Sequence, residues 1–314
     1  FVMWALDFTS CRSRFAEEAR VGYHAVKGSE AAVAEGVRLA RASGCRGFLI
    51  DAEAVAAAAT ALEGTSRQAV ILVLRARSPG EVDEALKSFD YLDGVVVSAA
   101  DGSSSWKKNW KRMAEKVVVG GPCWLGADHL DVGQLERLAE IQKPAVLVTT
   151  LSVRAQRKDL VRWCHSRRIE VLALLPPARD DDIIAPLERL RPGVEVQTLL
   201  TRWAIQSGVI AFPNYDEWLR RGDAVQNAAE YADWTADFAR ALALSTKHLH
   251  SPEEKLRVHL APDAIAAIAA LDDSSTKHRQ STQSEASAGA GREAAANLPT
   301  TSHHDGAMAW GRKE

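Results

Sequence analysis

The chain has 314 residues, enough for one large α/β domain with a tail. Hydrophobic residues make up 46% and charged residues 25%, ordinary proportions for a soluble globular protein. A formal net charge of -2 excludes the global basicity that draws proteins to nucleic acid or anionic lipid, and no apolar run approaches the roughly 20 residues of a membrane span.

Residues 1–20 carry no clear pattern. Residues 29–43 predict an amphipathic helix with Val33, Val37 and Ala40 on one face and Gly44 as its stop. Residues 47–51 (GFLID) predict a core strand that ends in an acid, Asp51. The alanine-rich stretch 52–62 predicts a helix, and 69–74 a second buried strand. Ser78-Pro79-Gly80-Glu81 reads as a capping box with Pro at the first helical position. Residues 92–97 predict a third strand, and 106–116 a helix whose exposed face carries Lys107, Lys108, Lys111, Arg112 and Lys116. That face is a solvated surface in the ordinary reading, with Trp106 and Trp110, one turn apart, packed on the barrel; in the sharper reading it is a protein-partner surface with the two tryptophans as an apolar patch.

Residues 117–119 read as strand four, ended by Gly120-Gly121-Pro122. Residues 131–142 predict a helix with Val132, Leu135, Leu138 and Ile141 facing inward. The stretch 143–177 reads strand, polar turn, helix, strand: Ala145 to Val148 is apolar, Leu160, Val161 and Cys164 share a helix face, and 171–175 closes the unit. Residues 183–190 have helical spacing, but Pro186 inside them shifts the expected start to about Pro186, leaving a short helix to Arg191. Residues 197–206 predict a helix stopped by Gly208, 209–212 strand seven, and 231–234 a last short strand. About eight strands alternating with helices predict a (β/α)₈ TIM barrel over residues 21–271. A doubly wound open sheet is the alternative, but no GxGxxG follows a strand. Residues 272–314 shift to Ser, Thr, Ala, Gln, Gly and His and are expected to form a disordered tail. His303, His304 and Asp305 there have the chemistry of metal ligands, but tail histidines are usually incidental.

Cys11, Cys45, Cys123 and Cys164 are scattered without metal-type spacing and read as reduced thiols of an intracellular, cytoplasmic compartment. The first residue is Phe, so a processed or incomplete chain that has lost a targeting segment is an open expectation.

The segment KPAVLVTTLSVRAQRKDLVRWCHSRRIEVLALLPP, residues 143–177, resembles the aldo-keto reductases, whose Lys-Pro-Ala-Val strand, Gln-Gln-Lys-Glu-Leu helix start, helical Cys and following strand stand in the same register. The resemblance implies a TIM barrel that reduces a carbonyl with hydride from NADPH. In that family a Tyr donates the proton, a Lys paired with an Asp tunes it, and a His polarises the carbonyl. Carried over residue by residue, Asp51 matches the Asp and Ala56 stands for the Tyr. Leu74 stands for the Lys, or Arg75 if the register slips by one, and Ser98 stands for the His. Val21-Gly22-Tyr23-His24 is what remains of a glycine-rich first strand, with His24 at the place of a pocket-lining Trp.

At the cofactor positions the resemblance puts Pro122 and Cys123 for the Ser and Asn that hold the nicotinamide amide. It puts Val148 for a Gln, Leu174 for the ring-stacking Tyr, and Pro213-Asn214-Tyr215 for Pro-Lys-Ser. Arg220 falls near a phosphate-binding Arg and Asn227 near an adenine-contacting Asn; Arg220 and Arg221 together suit a phosphate, or simply an exposed helix face. Asp51 is then either a catalytic remnant or a structural group, paired with Arg75 or Arg77 or capping a helix. The expectation is a barrel that has lost carbonyl reductase activity, holds no cofactor and serves a binding or structural role. The alternative is an active NADPH-dependent reductase. A further possibility, nucleophilic chemistry by Cys123 with His24, Asp51 and Glu53 around one mouth, also follows from these positions.

Overall fold

The computed structural model describes residues 20–66, 68–98, 106–118, 122, 124–177, 181–250 and 259–272. Strand and helix alternate through them: β1 Gly22–Ala25, α1 Glu30–Ala42, β2 Gly47–Asp51, a 3-10 turn Ala52–Ala54, α2 Val55–Leu62, β3 Ile71–Ala76, α3 Pro79–Ser88, β4 Gly94–Val97 and α4 Trp106–Val118. Then follow β5 Trp124–Asp128, α5 Val132–Ala139, β6 Val146–Thr150, α6 Lys158–Ser166, β7 Glu170–Leu175, α7 Asp181–Leu190, α8 Val196–Gln206, β8 Ile210–Pro213, α9 Asp216–Asp223, α10 Ala228–His250 and α11 Pro262–Ala269. The strands pair in parallel in chain order, and a parallel bridge from Val21 to Ala211 brings the first against the last. This is the predicted (β/α)₈ barrel. No helix among the described residues is long and apolar enough to cross a membrane.

Side chains alternate across each strand, so one apolar run supplies two cores. Phe48, Ile50, Leu72, Leu74 and Leu147 face the helices. Leu49, Val73, Val96, Val148, Leu172 and Phe212 fill the barrel itself. The inner core leaves no room at two glycines: a Cβ on Gly22 would meet the Phe212 ring, and one on Gly94 the Trp124 ring. Large rings on β8 and β5 thus fill space that β1 and β4 vacate.

Helix starts follow local chemistry. The Ser29 hydroxyl accepts from Ala32 N at 3.2 Å to open α1, and Asp131 with Gln134 forms a reciprocal capping box at α5. Ser78 accepts from Glu81 N at 3.4 Å, but Glu81 turns to the Arg77 N–H at 2.7 Å, so the box read there is half formed.

Four sequence expectations change. Residues 117 and 118 end α4 instead of forming a strand, because Val117 continues the buried helix face of Trp110, Met113 and Ala114. Residues 231–234 lie in α10, where Trp234, Phe238 and Leu242 recur at helical spacing and are buried. Helix α7 runs through Pro186 rather than starting there, with Ile183 and Leu187 both buried, so packing carries the turn that Pro weakens. Ile141 lies past the end of α5 and is 44% exposed. Trp110 packs into the core, the ordinary reading of the tryptophan pair; Cys123, the tail histidines and the segments 1–19 and 273–314 lie outside the described residues.

Gly94→Ala should destabilise the barrel by about 1–3 kcal/mol, the usual cost of overpacking, read as a lower urea midpoint with an unchanged slope. Burial pushes both the Cys45 and Cys164 thiols up to about 12. Native protein at pH 8 should therefore leave these two unlabelled by iodoacetamide while denatured protein labels both, as mass spectrometry would show.

Candidate active site at the strand ends

The same alternation that fills the barrel aims its next inward residues at the mouth. Two positions beyond Leu49, Val73 and Val148 come Asp51, Arg75 and Thr150, and two beyond Gly22 and Gly126 come His24 and Asp128. Asp51 and Arg75 are register partners across β2 and β3, which settles the register: Arg75 faces inward beside Asp51, and Leu74 faces the helices. Of the two residues read against the family Lys, Arg75 is thus the one that faces the mouth.

Arg75 sits between two carboxylates. Its Nε and Nη2 donate to Asp128 Oδ2 at 2.9 and 2.7 Å, and its Nη1 lies 3.6 Å from Asp51 Oδ1. His24 Nε2 meets that Asp51 oxygen at 3.0 Å. On the far side, His129 Nδ1 meets Asp128 Oδ1 at 2.5 Å and His129 Nε2 meets the Thr150 hydroxyl at 2.9 Å. One chain of contacts therefore crosses the mouth: His24, Asp51, Arg75, Asp128, His129, Thr150. The backbone bends to make it. His129 has φ 52°, a left-handed conformation costing on the order of 1 kcal/mol, and its N–H donates to Val148 O at 2.8 Å.

The side chain of Asp128 is only 3% exposed. Burial pushes its carboxyl up, but the His129 hydrogen bond and the Arg75 charge outweigh that and hold it below the usual carboxylate range. Burial likewise opposes the Arg75 charge, and Asp128 then Asp51 more than offset it. With both imidazoles neutral, two carboxylates and one guanidinium leave the set one surplus negative charge.

Other expected positions lie apart from this chain. Ala56 is on the exposed side of α2, and Ser98 follows β4, donating its N–H to Ala76 O at 2.9 Å. Glu53 pairs with Arg77, not with Asp51. Val148 is inside the barrel and Leu174 packs against that core. Arg220 is exposed on α9, and Arg221 lies 3.6 Å from Asp237. Asn227 caps α10: its Oδ1 accepts from Glu230 N at 3.0 Å, and its Nδ2 donates to Glu230 Oε1 at 2.7 Å.

Asp128 and His129 were missed from sequence because β5 was placed at residues 117–119. With β5 at Trp124–Asp128, the residues that close this strand are Asp128 and His129, within Gly126-Ala127-Asp128-His129-Leu130. The available signal was the helix start at Asp131, which leaves 124–128 as the stretch before it.

No protein-family model matches the sequence, and no curated protein sequence does. Solved structures do match by fold. An aldo-keto reductase from Brucella melitensis superposes with a TM-score of 0.63 at 16% identity, over 81% of this chain and 94% of that one. A Bombyx mori aldo-keto reductase in complex with NADP gives 0.59 at 19% identity, over 81% and 89%. An aldose reductase from Schistosoma japonicum gives 0.59 at 16% identity, over 81% and 88%. The chain has the fold of the aldo-keto reductases.

Removing Arg75 strands Asp128 as an unpaired buried charge, so Arg75→Met should cost on the order of 3–5 kcal/mol at pH 7. Asp128 has a depressed folded pKa, so its contribution is present above the unfolded carboxylate value near ~4 and lost as pH falls through the lower folded value. Urea titrations should therefore show the gap between wild type and Arg75→Met narrowing as pH drops below about 4.

Proposed function

We propose that this barrel has lost carbonyl reductase chemistry and keeps its mouth as a binding or structural surface. One observation carries the reading: the cation beside Asp51 is Arg75, doubly bonded to a second carboxylate, Asp128. A reductase of the resembled kind needs a cation that tunes a phenol. Arg75 is a permanent cation already neutralised by Asp51 and Asp128, and the place of the phenol is Ala56. The positions that would clamp a nicotinamide are likewise changed: Asp128 is engaged by Arg75, and Val148 and Leu174 are apolar.

A second reading, an active NADP(H)-dependent reductase with a displaced proton donor, draws on His24. Its imidazole lies 3.0 Å from Asp51, where it would take the donor's part, and the Bombyx mori protein of this fold was solved in complex with NADP. The two readings separate in one assay. Under the first, NADPH absorbance at 340 nm stays at the buffer rate across a panel of aliphatic and aromatic aldehydes. Aldehyde-dependent oxidation that disappears in both His24→Gln and Asp51→Asn would establish the second.

A further inference from the structure

One half of the mouth has an order of its own that neither reading uses. Asp128 Oδ1 meets His129 Nδ1, and His129 Nε2 meets the Thr150 hydroxyl. A carboxylate on Nδ1 holds the proton there, so Nε2 presents its lone pair to the hydroxyl. Arg75 grips the other Asp128 oxygen with two N–H groups, which keeps the carboxylate from turning away. Accessibility rises along the line: Asp128 is buried, the His129 side chain is 40% exposed, and Thr150 is open to solvent. Orienting acid inside, base between and hydroxyl outside is the arrangement of an activated nucleophile.

We propose that Thr150 is a nucleophile that takes an acyl group from activated esters, with His129 as its general base and Asp128 holding the imidazole in place. Thr150 Oγ forms a bond to the ester carbonyl carbon as its proton passes to His129 Nε2. The bond from that carbon to the alcohol oxygen breaks, and the leaving oxygen departs with the proton, giving an acyl-threonine and a neutral imidazole. Water then gives a proton to His129 and adds its oxygen to the same carbon, and Thr150 leaves reprotonated. The sum is ester plus water to acid plus alcohol, with no oxidant, reductant or nucleotide.

The surroundings narrow the substrate. The N–H groups beside Thr150 are already engaged: Leu151 donates to Leu174 O at 3.1 Å and Ser152 to Ala155 O at 3.3 Å. The carbonyl oxygen therefore gains no support from these two donors, which favours esters with a good leaving group, such as aryl esters, over amides.

The full chain is mixed with p-nitrophenyl acetate without NADPH, quenched in acid and digested for peptide mass spectrometry. The expected result is acetyl on Thr150 and a burst of nitrophenolate. His129→Asn, chosen because Asn accepts the left-handed backbone at this position, should slow Thr150 acetylation about 100-fold. Asp128→Asn should lower the maximal rate and leave KM for the ester unchanged. Thr150→Ser should keep the label, and Thr150→Val should lose it, so the question stays decidable if a His129 or Asp128 variant fails to fold. Acetyl confined to lysines, or Thr150 acetylation as fast in His129→Asn as in wild type, overturns the proposal. Because no nucleotide is present, neither outcome depends on whether the barrel reduces carbonyls.

Discussion

Arg75 lies between Asp51 and Asp128, and the top of the barrel is organised by that contact. Two opposite charges about 4 Å apart attract by on the order of 4 kcal/mol at an effective dielectric near 20. Taking them from water costs several kcal/mol per ion. The sum is close to balance, so the triad adds little to net stability while it is whole. Its importance is asymmetric: Asp128 is buried, and any loss of its guanidinium leaves a charge with no water to replace it. A group held this way fixes geometry more than it adds stability. It sets where β2, β3 and β5 end relative to one another, and so where His24 and His129 sit.

The same contact constrains the chemistry. A proton relay needs a group that gains and loses a proton near working pH, and Arg75 does neither. Two imidazoles stand at the ends of the line, His24 on Asp51 and His129 on Asp128. The mouth is better described as two His–carboxylate pairs joined by a fixed cation than as a damaged version of a tyrosine-centred site. Below it, the inner core of Val73, Val96, Val148, Leu172 and Phe212 is a dry plug, so chemistry is confined to one layer of side chains at the strand ends.

Much of this was legible in the residues. The apolar runs of β2, β3, β6, β7 and β8 are uninterrupted and bounded by turn signals, which is enough to place them. Strand β5 was not legible, because Gly126 and Asp128 break its apolar run, while Val117 to Val119 look like a strand and their described part ends a helix. That single misplacement hid Asp128 and His129. Asp51 was visible as an acid closing a strand. Arg75 was visible only as an alternative register, since nothing local separates Leu74 from Arg75 until β2 and β3 are paired. Asn227 shows the reverse: a residue with a suggestive position whose side chain is spent on capping α10.

Calorimetry tests directly the proposal that this mouth no longer holds a nucleotide. Titrating NADPH into the full chain at low salt should give no saturable heat up to about 100-fold the protein concentration, an excess that exposes weak binding. A single-site isotherm with a micromolar dissociation constant, abolished by Arg75→Met, would contradict the view that this mouth has given up its nucleotide.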